Sequence, residues 1–306
     1  MNFTDSPYEK MMKQVPRPSQ GRVPTWPADD GFYQQLGTEG PMARTVTDLA
    51  MLLSVQAGYD RRTPLAIAAD GAAFAQPLAR DVKGTRIGWL GDFDGHLATG
   101  EGVMDLLKSS LAYFDTLGCQ VDAARPDYDM ARLWQCWLTL RGFFNFGRLK
   151  THYDDPARRA RMKPEAVWEV ESGLNLTVAD VVAAGVSRSA WRDALLKLFE
   201  RFDFLVLPTA QVFPFDARET WPREIAGRAM DTYHRWMEVV IGPTLAGLPA
   251  ISVPAGFSAD GLPMGLQIVG PPQADFALLQ MAHAWEQAVP FGQREPALLA
   301  AARAGN

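Results

Sequence analysis

The stretch Leu245–Gly270, "LAGLPAISVPAGFSADGLPMGLQIVG", decides how the chain is read. Its apolar runs suit buried strands, yet Pro and Gly interrupt them every few residues, and both residue types break a ladder of backbone hydrogen bonds. The conflict resolves if "AISVPAGF" and "PMGLQIVG" are two short strands joined by "SADGL", whose Asp260-Gly261 pair is a turn signal. Gly247, Pro249, Pro254 and Gly256 then fall at strand ends, where a missing N–H or a positive φ does no harm. Gly beside a buried strand also admits another backbone or a ligand, so a pocket wall is a second role for this hairpin.

Working outward, "TRIGWLGDF" (85–93) and "FDFLVLPTA" (202–210) read as buried strands and "CQVDAA" (119–124) as a shorter one. A helix over about 100–117 makes 85–124 a β-α-β unit, which implies parallel pairing with a right-handed crossover. "TVTDLAMLLSVQAG" reads as a helix capped by Thr45, with Asp48 three residues on and Gly58 as its stop. Residues 127–200 are mostly helical in pattern, broken at Pro156, Pro164 and Gly173, and Trp134, Trp137 and Phe144 form an aromatic stripe that suits helix packing. A Met- and aromatic-rich helix is predicted over 224–241, and "DFALLQMAHAWEQA" (275–288) supplies the last one. Strands separated by helices predict an α/β fold with a mixed, mainly parallel central sheet covered by helices on both faces.

With 306 residues, 47% hydrophobic and 21% charged, the chain has material for one large core or two modest ones. The 30 Lys and Arg against 35 Asp and Glu give a net charge of −5 with no basic stripe, which argues against a nucleic-acid partner. The N-terminus lacks the apolar core of a signal peptide and no later run reaches the length of a membrane span, so a cytoplasmic protein without membrane contact is expected. Cys119 and Cys136 are predicted to be free, buried thiols. No Walker A loop or G-x-G-x-x-G occurs, so no cofactor is expected. "GDFDGH" spaces Asp92, Asp94 and His96 as a metal cluster would, but a polar turn leaving the sheet accounts for it better, and no metal is expected. Asp231 and His234 share a helix face in the predicted 224–241 helix, an arrangement common on exposed faces.

"GPMARTVTDLAMLLSVQAGYD" (40–60), "DFLVLPTA" (203–210) and "TLAGLPAISVPAGFSADGLPMGLQIVGPPQADFALLQMAHAWE" (244–286) together resemble the amidase-signature family, which includes bacterial amidases and the amidotransferase A subunit. "RPSQGRVP" (17–24) resembles the turn that follows the family's signature region. The resemblance implies a C–N hydrolase acting on a neutral carboxylic amide. It also implies a Ser nucleophile, activated through a second Ser in a cis peptide and a Lys, located before the equivalent of "RPSQGRVP". Only sixteen residues lie there, without a Gly/Ser-rich loop, so the resemblance reads as the C-terminal two thirds of the family pattern. On this reading 1–306 is a single incomplete, truncated domain whose N-terminal part is missing, 127–200 is a variable helical insertion within it, and no catalytic residue can be assigned. Ser109-Ser110 sits in an ordinary amphipathic pattern with Lys108 beside it, and "GVSRS" (185–189) lacks the last Gly of a nucleophile elbow.

Site residues follow from the resemblance alone. Gly40, Pro41, Arg44 and Asp48 match "GPMARTVxDLA" and are assigned a structural role, with an Arg44–Asp48 ion pair expected at the helix start. Trp236, Val240 and Thr244, at i, i+4, i+8 on the predicted 224–241 helix, match the region that lines the acyl pocket in relatives; a stripe facing the core explains them equally well. The expected partners are a small-molecule amide, if an N-terminal segment completes the domain, and a second copy or a split-chain partner. The alternatives are a non-catalytic scaffold or small-molecule binder, and an amidotransferase subunit that works on charged tRNA with partner chains.

Overall fold

The computed structural model describes residues 14–33 and 35–290. In chain order come β1 (Val15–Arg17), α1 (Val46–Gln56), β2 (Arg86–Trp89), α2 (Val103–Ser110), α3 (Ala112–Thr116) and β3 (Gln120–Ala123). Four helices follow, α4 (Met130–Asp154), α5 (Pro156–Arg159), α6 (Pro164–Leu174) and α7 (Val178–Phe199), then β4 (Phe204–Pro208). A small hairpin of β5 (Glu224–Ile225) and β6 (Arg228–Ala229), a 3-10 helix (Arg235–Val240) and α8 (Ile241–Ala246) lead to β7 (Ala250–Phe257), β8 (Pro263–Val269) and α9 (Asp275–Ala288).

The punctuated stretch folds as its turn signal predicts. Ser258 Oγ accepts the amides of Asp260 and Leu262, Gly261 takes φ +78°, and β7 and β8 pair antiparallel on either side. Gly256, at φ +149°, sits where β7 bulges after Pro254, so the Pro interrupts the ladder at a point already irregular. "DFLVLPT", "AISVP" and "GLQIVG" all contribute buried strands to one six-stranded sheet of order β1-β7-β8-β4-β2-β3.

The sheet's direction departs from the expected mainly parallel arrangement. The β-α-β unit is present, and β2 pairs parallel with both β3 and β4. The β1–β7, β7–β8 and β8–β4 pairings are antiparallel, so the sheet is mixed and mostly antiparallel. A tight turn makes β7–β8 antiparallel, whereas β1–β7 and β4–β8 join strands distant in sequence, whose direction the β-α-β crossover does not set. A fold lacking its N-terminal part is corrected too. Val15–Arg17 is an edge strand of the sheet, and Ser19 and Arg22 hold Asp275 at the start of α9, the Ser19 amide and hydroxyl at 2.7 and 2.8 Å and Arg22 Nη2 at 3.1 Å.

Both faces of the sheet are covered, because alternate residues of its strands enter different cores. Phe204, Val206, Leu266 and Ile268 join α1, α2, α3 and α9 in one core; Leu205, Leu207 and Val269 join α4, α7 and α8 in the other. Gly88 lets these layers close, since a Cβ there would lie 2.8 Å from Leu205. Trp134, Trp137 and Phe144 are buried in the second core, as helix packing predicts. Thr45 caps α1, accepting the Asp48 amide at 3.1 Å. The helix predicted over 224–241 is instead the β5–β6 hairpin, an irregular link and the 3-10 helix, which is kinked at Met237.

Candidate functional site

The residues assigned to an acyl pocket lie on two consecutive helices rather than one face. Trp236 packs beside Trp221, Ile225 and Met230 and meets Phe215 edge to face at 5.4 Å. Val240 packs against the second core, and Thr244 Oγ1 donates to its carbonyl at 3.0 Å. Gly40 has a clear structural reason, since a Cβ would lie 2.4 Å from the Pro16 carbonyl oxygen, and Pro41 is buried at the approach to α1. The Arg44–Asp48 ion pair does not form; Arg44 is exposed, and the Asp48 carboxylate accepts the Thr45 hydroxyl at 2.7 Å. The local cap outcompetes a long-range reach because its geometry is fixed by the helix start.

Two buried carboxylates hold the 231–240 segment to its surroundings. Glu169 of α6 lies 2.5 Å from His234 Nε2 and 2.6 Å from Arg141 Nε, and its other oxygen accepts Asn145 Nδ2. A carboxylate only accepts, so the Glu169 contact takes a proton on Nε2, which also lies 2.9 Å from Arg141 Nε; Nδ1 is buried without a partner among the described residues. Burial pushes the Glu169 carboxyl up, but the His234 hydrogen bond and the Arg141 charge outweigh it and hold the group below its ordinary value of 4.5. Glu238 accepts His96 Nε2 at 2.8 Å and Arg235 Nη1 at 3.1 Å, and Arg235 also pairs with Asp231 at 2.9 Å. Burial lowers the Arg235 guanidinium, yet these two carboxylates win and raise it.

Aromatic rings wall this network. His234 is edge-on to Trp137 at 5.9 Å and to Trp168 at 5.8 Å, and the Arg235 guanidinium lies 3.8 Å from the centre of the Trp134 ring. Nothing in the sequence paired Glu169 with His234; the signal available was a Glu inside the apolar run "AVWEVESG". Asp231 and His234, expected to share a helix face, part company: one pairs with Arg235, the other with Glu169.

No strong nucleophile emerges among the described residues. Ser109, Ser110 and Ser189 donate to carbonyls of their own helices, Ser187 shares its hydroxyl with Tyr128, and Ser252 pairs with Thr209 at 2.9 Å. Among the described residues no Ser hydroxyl is hydrogen-bonded to a Lys. Cys119 and Cys136 are free and buried, and burial pushes both thiols up to about 11, far from a reactive thiolate at neutral pH. The "GDFDGH" residues form a turn in which Asp92 Oδ1 accepts the Gly95 amide, Asp94 pairs with Arg125, and His96 turns to Glu238. Among the described residues no group of three His, Cys, Asp or Glu is placed to hold a metal.

The Amidase family matches residues 16–279. The chain belongs to this family. It is 29% identical over 286 residues to an acylamidase of Rhodococcus erythropolis, covering 92% of this chain and 58% of that protein. It is 30% identical over 293 residues to the A subunit of a glutamyl-tRNA(Gln) amidotransferase from Thermosynechococcus vestitus, covering 87% of this chain and 58% of that one. A crystal structure of a bacterial aryl acylamidase of the amidase-signature enzymes superposes with a TM-score of 0.82 at 26% identity, over 92% of this chain and 59% of that chain. The chain thus spans less than two thirds of the length of these relatives.

The match corrects the reading of a C-terminal two-thirds resemblance, on which the label truncated rested. It starts at residue 16, in β1, and includes both the N-terminal turn and the helical middle. Neither the family match nor the superposition supports the expected need for a completing N-terminal segment or a split-chain partner.

Proposed function

We propose that this chain serves amidase-type C–N chemistry, with the 231–246 segment recognising the acyl side of a neutral carboxylic amide. The observation that carries the proposal is the family match over residues 16–279, which includes this segment. Its chemistry supports a neutral ligand. Glu169, Glu238 and Asp231 are each already paired with Arg or His, so the segment offers a charged ligand little uncompensated attraction. Aromatic rings supply the apolar wall, and the Trp236 Nε1 and Thr232 Oγ1 groups, buried without partners among the described residues, supply polar points that an amide could meet. The names of the relatives, an acylamidase and an aryl acylamidase, support an acyl or aryl amide.

At a finer level, the described residues carry acyl recognition and no hydrolytic nucleophile. Amide hydrolysis requires an activated nucleophile beside a base and donors aimed at the developing oxyanion. The Ser hydroxyls of the described helices are spent on backbone carbonyls or on other hydroxyls. Binding that is equal in the ground and transition states does not speed the chemical step. The test is a chromogenic anilide assay on the 306-residue protein beside an equilibrium binding measurement with the same anilide. The expected result is saturable binding, weakened by Trp236→Ala, with anilide release no faster than a matched blank. Turnover that survives repurification and disappears on mutating one Ser would overturn the finer reading, and absence of binding would overturn the recognition role.

A further inference from the structure

The other end of α8 carries a feature that amide recognition does not use. The last four carbonyls of a helix have no intrahelical donor and sit at the negative end of its dipole. At the end of α8 three guanidiniums meet them. Arg17 Nη2 donates to Thr244 O at 3.1 Å and its Nη1 to Leu248 O at 2.9 Å; Arg188 Nε donates to Leu245 O at 2.6 Å; Arg192 Nη1 donates to Ala246 O. Gly247 closes the helix at φ +65°, against the side chain of Gln20.

Capping one short helix does not account for this much charge. Among the described residues none of the three guanidiniums has a carboxylate within 4.0 Å, whereas nearby Arg22 is neutralised by Asp275. Burial lowers the Arg17 guanidinium to about 10 and repulsion from Arg188 adds to the effect, while Asp275, already paired with Arg22, offsets it only in part. Arg188 is lowered in turn, first by burial and also by Arg192. Like charges so close together are costly unless an opposite charge joins them.

Two of the three, Arg188 and Arg192, line a cavity of about 570 Å³ whose walls also include Gln20, Gln35, Ser189 and Gln273. A guanidinium has five N–H donors in a fixed fork. Among the described residues Arg188 spends its donors on Leu245 O, Gln20 Oε1 and Gln35 O, with none from Nη1, and Arg192 spends a single one on Ala246 O. Two adjacent forks with spare donors, facing a cavity without a protein carboxylate, match the geometry of an oxyanion.

We propose that this cavity binds the oxyanion group, carboxylate or phosphate, of a small molecule, held by Arg188 and Arg192. Arg17 adds field strength from beneath the helix end. The site is separate from the 231–240 network, to which it is joined through α8.

The test is isothermal titration of the 306-residue protein with inorganic phosphate and, separately, acetate, at constant ionic strength. At least one anion is expected to bind saturably at one site, and Arg192→Gln to weaken it by about tenfold or more. Arg125→Gln, at an exposed ion pair elsewhere, should leave the affinity unchanged. Phosphate alone binding assigns a phosphate-class ligand, acetate alone a carboxylate, and either supports the proposal. No saturable binding of either anion, or an Arg192→Gln protein that binds like the parent, overturns it. Should the variant fail to fold, phenylglyoxal labelling of the parent decides: the binding anion should protect Arg188 and Arg192, and labelling unchanged by anion overturns the site.

Discussion

The β7–β8 hairpin and the 231–246 segment that precedes it are neighbours in sequence and are held by opposite means. The hairpin lies between two apolar cores, and Trp285 of α9 fastens it, donating Nε1 to Pro254 O at 2.8 Å and packing against Phe114 at 4.6 Å. The segment has two short helices and an irregular link, and its anchors are Glu169–His234–Arg141 and His96–Glu238–Arg235. Apolar burial is non-directional and tolerates small shifts. A buried ion network holds only while every partner keeps its charge and place. The comparison therefore places the environment-sensitive part of the fold beside the proposed recognition site.

Substitutions can break or sharpen that contrast. Trp285→Ala removes a side chain with no exposed surface, and a loss of about 4 kcal/mol in urea unfolding is expected, shared by the whole molecule. A variant that loosened only the hairpin would show that the cores are not one cooperative unit. Glu169→Ala leaves buried His234 and half-buried Arg141 without their acceptor, and a loss of about 3 kcal/mol is expected. Tryptophan fluorescence should report it selectively, because Trp137 and Trp168 pack on His234. Stability within a few tenths of the parent would mean that apolar contacts, not the network, hold the segment. Thr45→Ala, which deletes an exposed cap outside both regions, should cost about 1 kcal/mol and leave the contrast between them unchanged.

The same contrast explains what could be read in the sequence. Apolar runs with turn signals at their ends placed β4, β7, β8 and α9, because burial on both faces and Gly or Pro punctuation are local properties. Sheet direction was missed because pairing is not local: β8 meets β4 across an intervening hairpin and two helices. The 224–241 stretch was read as one helix on composition, although Gly227 at φ +78° and Ala226 at φ +49° turn the chain there into a hairpin. Ion pairs were least legible. Arg44 and Asp48 had ideal spacing and did not pair, while Glu169 and His234, 65 positions apart, did. The three arginines at the end of α8 come from β1 and α7, and only the fold brings them together.

Hydrogen exchange across an acid titration tests the central claim most directly. Glu169 titrates below its ordinary 4.5 when folded, so its contribution is fully present above that value and is lost as pH falls through the lowered one. Glu286, a residue of α9 that accepts Gln14 Nε2 and the Val46 amide, is shifted the other way: burial raises it, so acidification relieves a cost instead of adding one. With rates normalised to an unstructured reference, amides of 231–246 are predicted to keep their protection down to about pH 5 and then to lose it before those of β7 and β8. Loss of protection in both regions together, or in the hairpin first, would contradict the account.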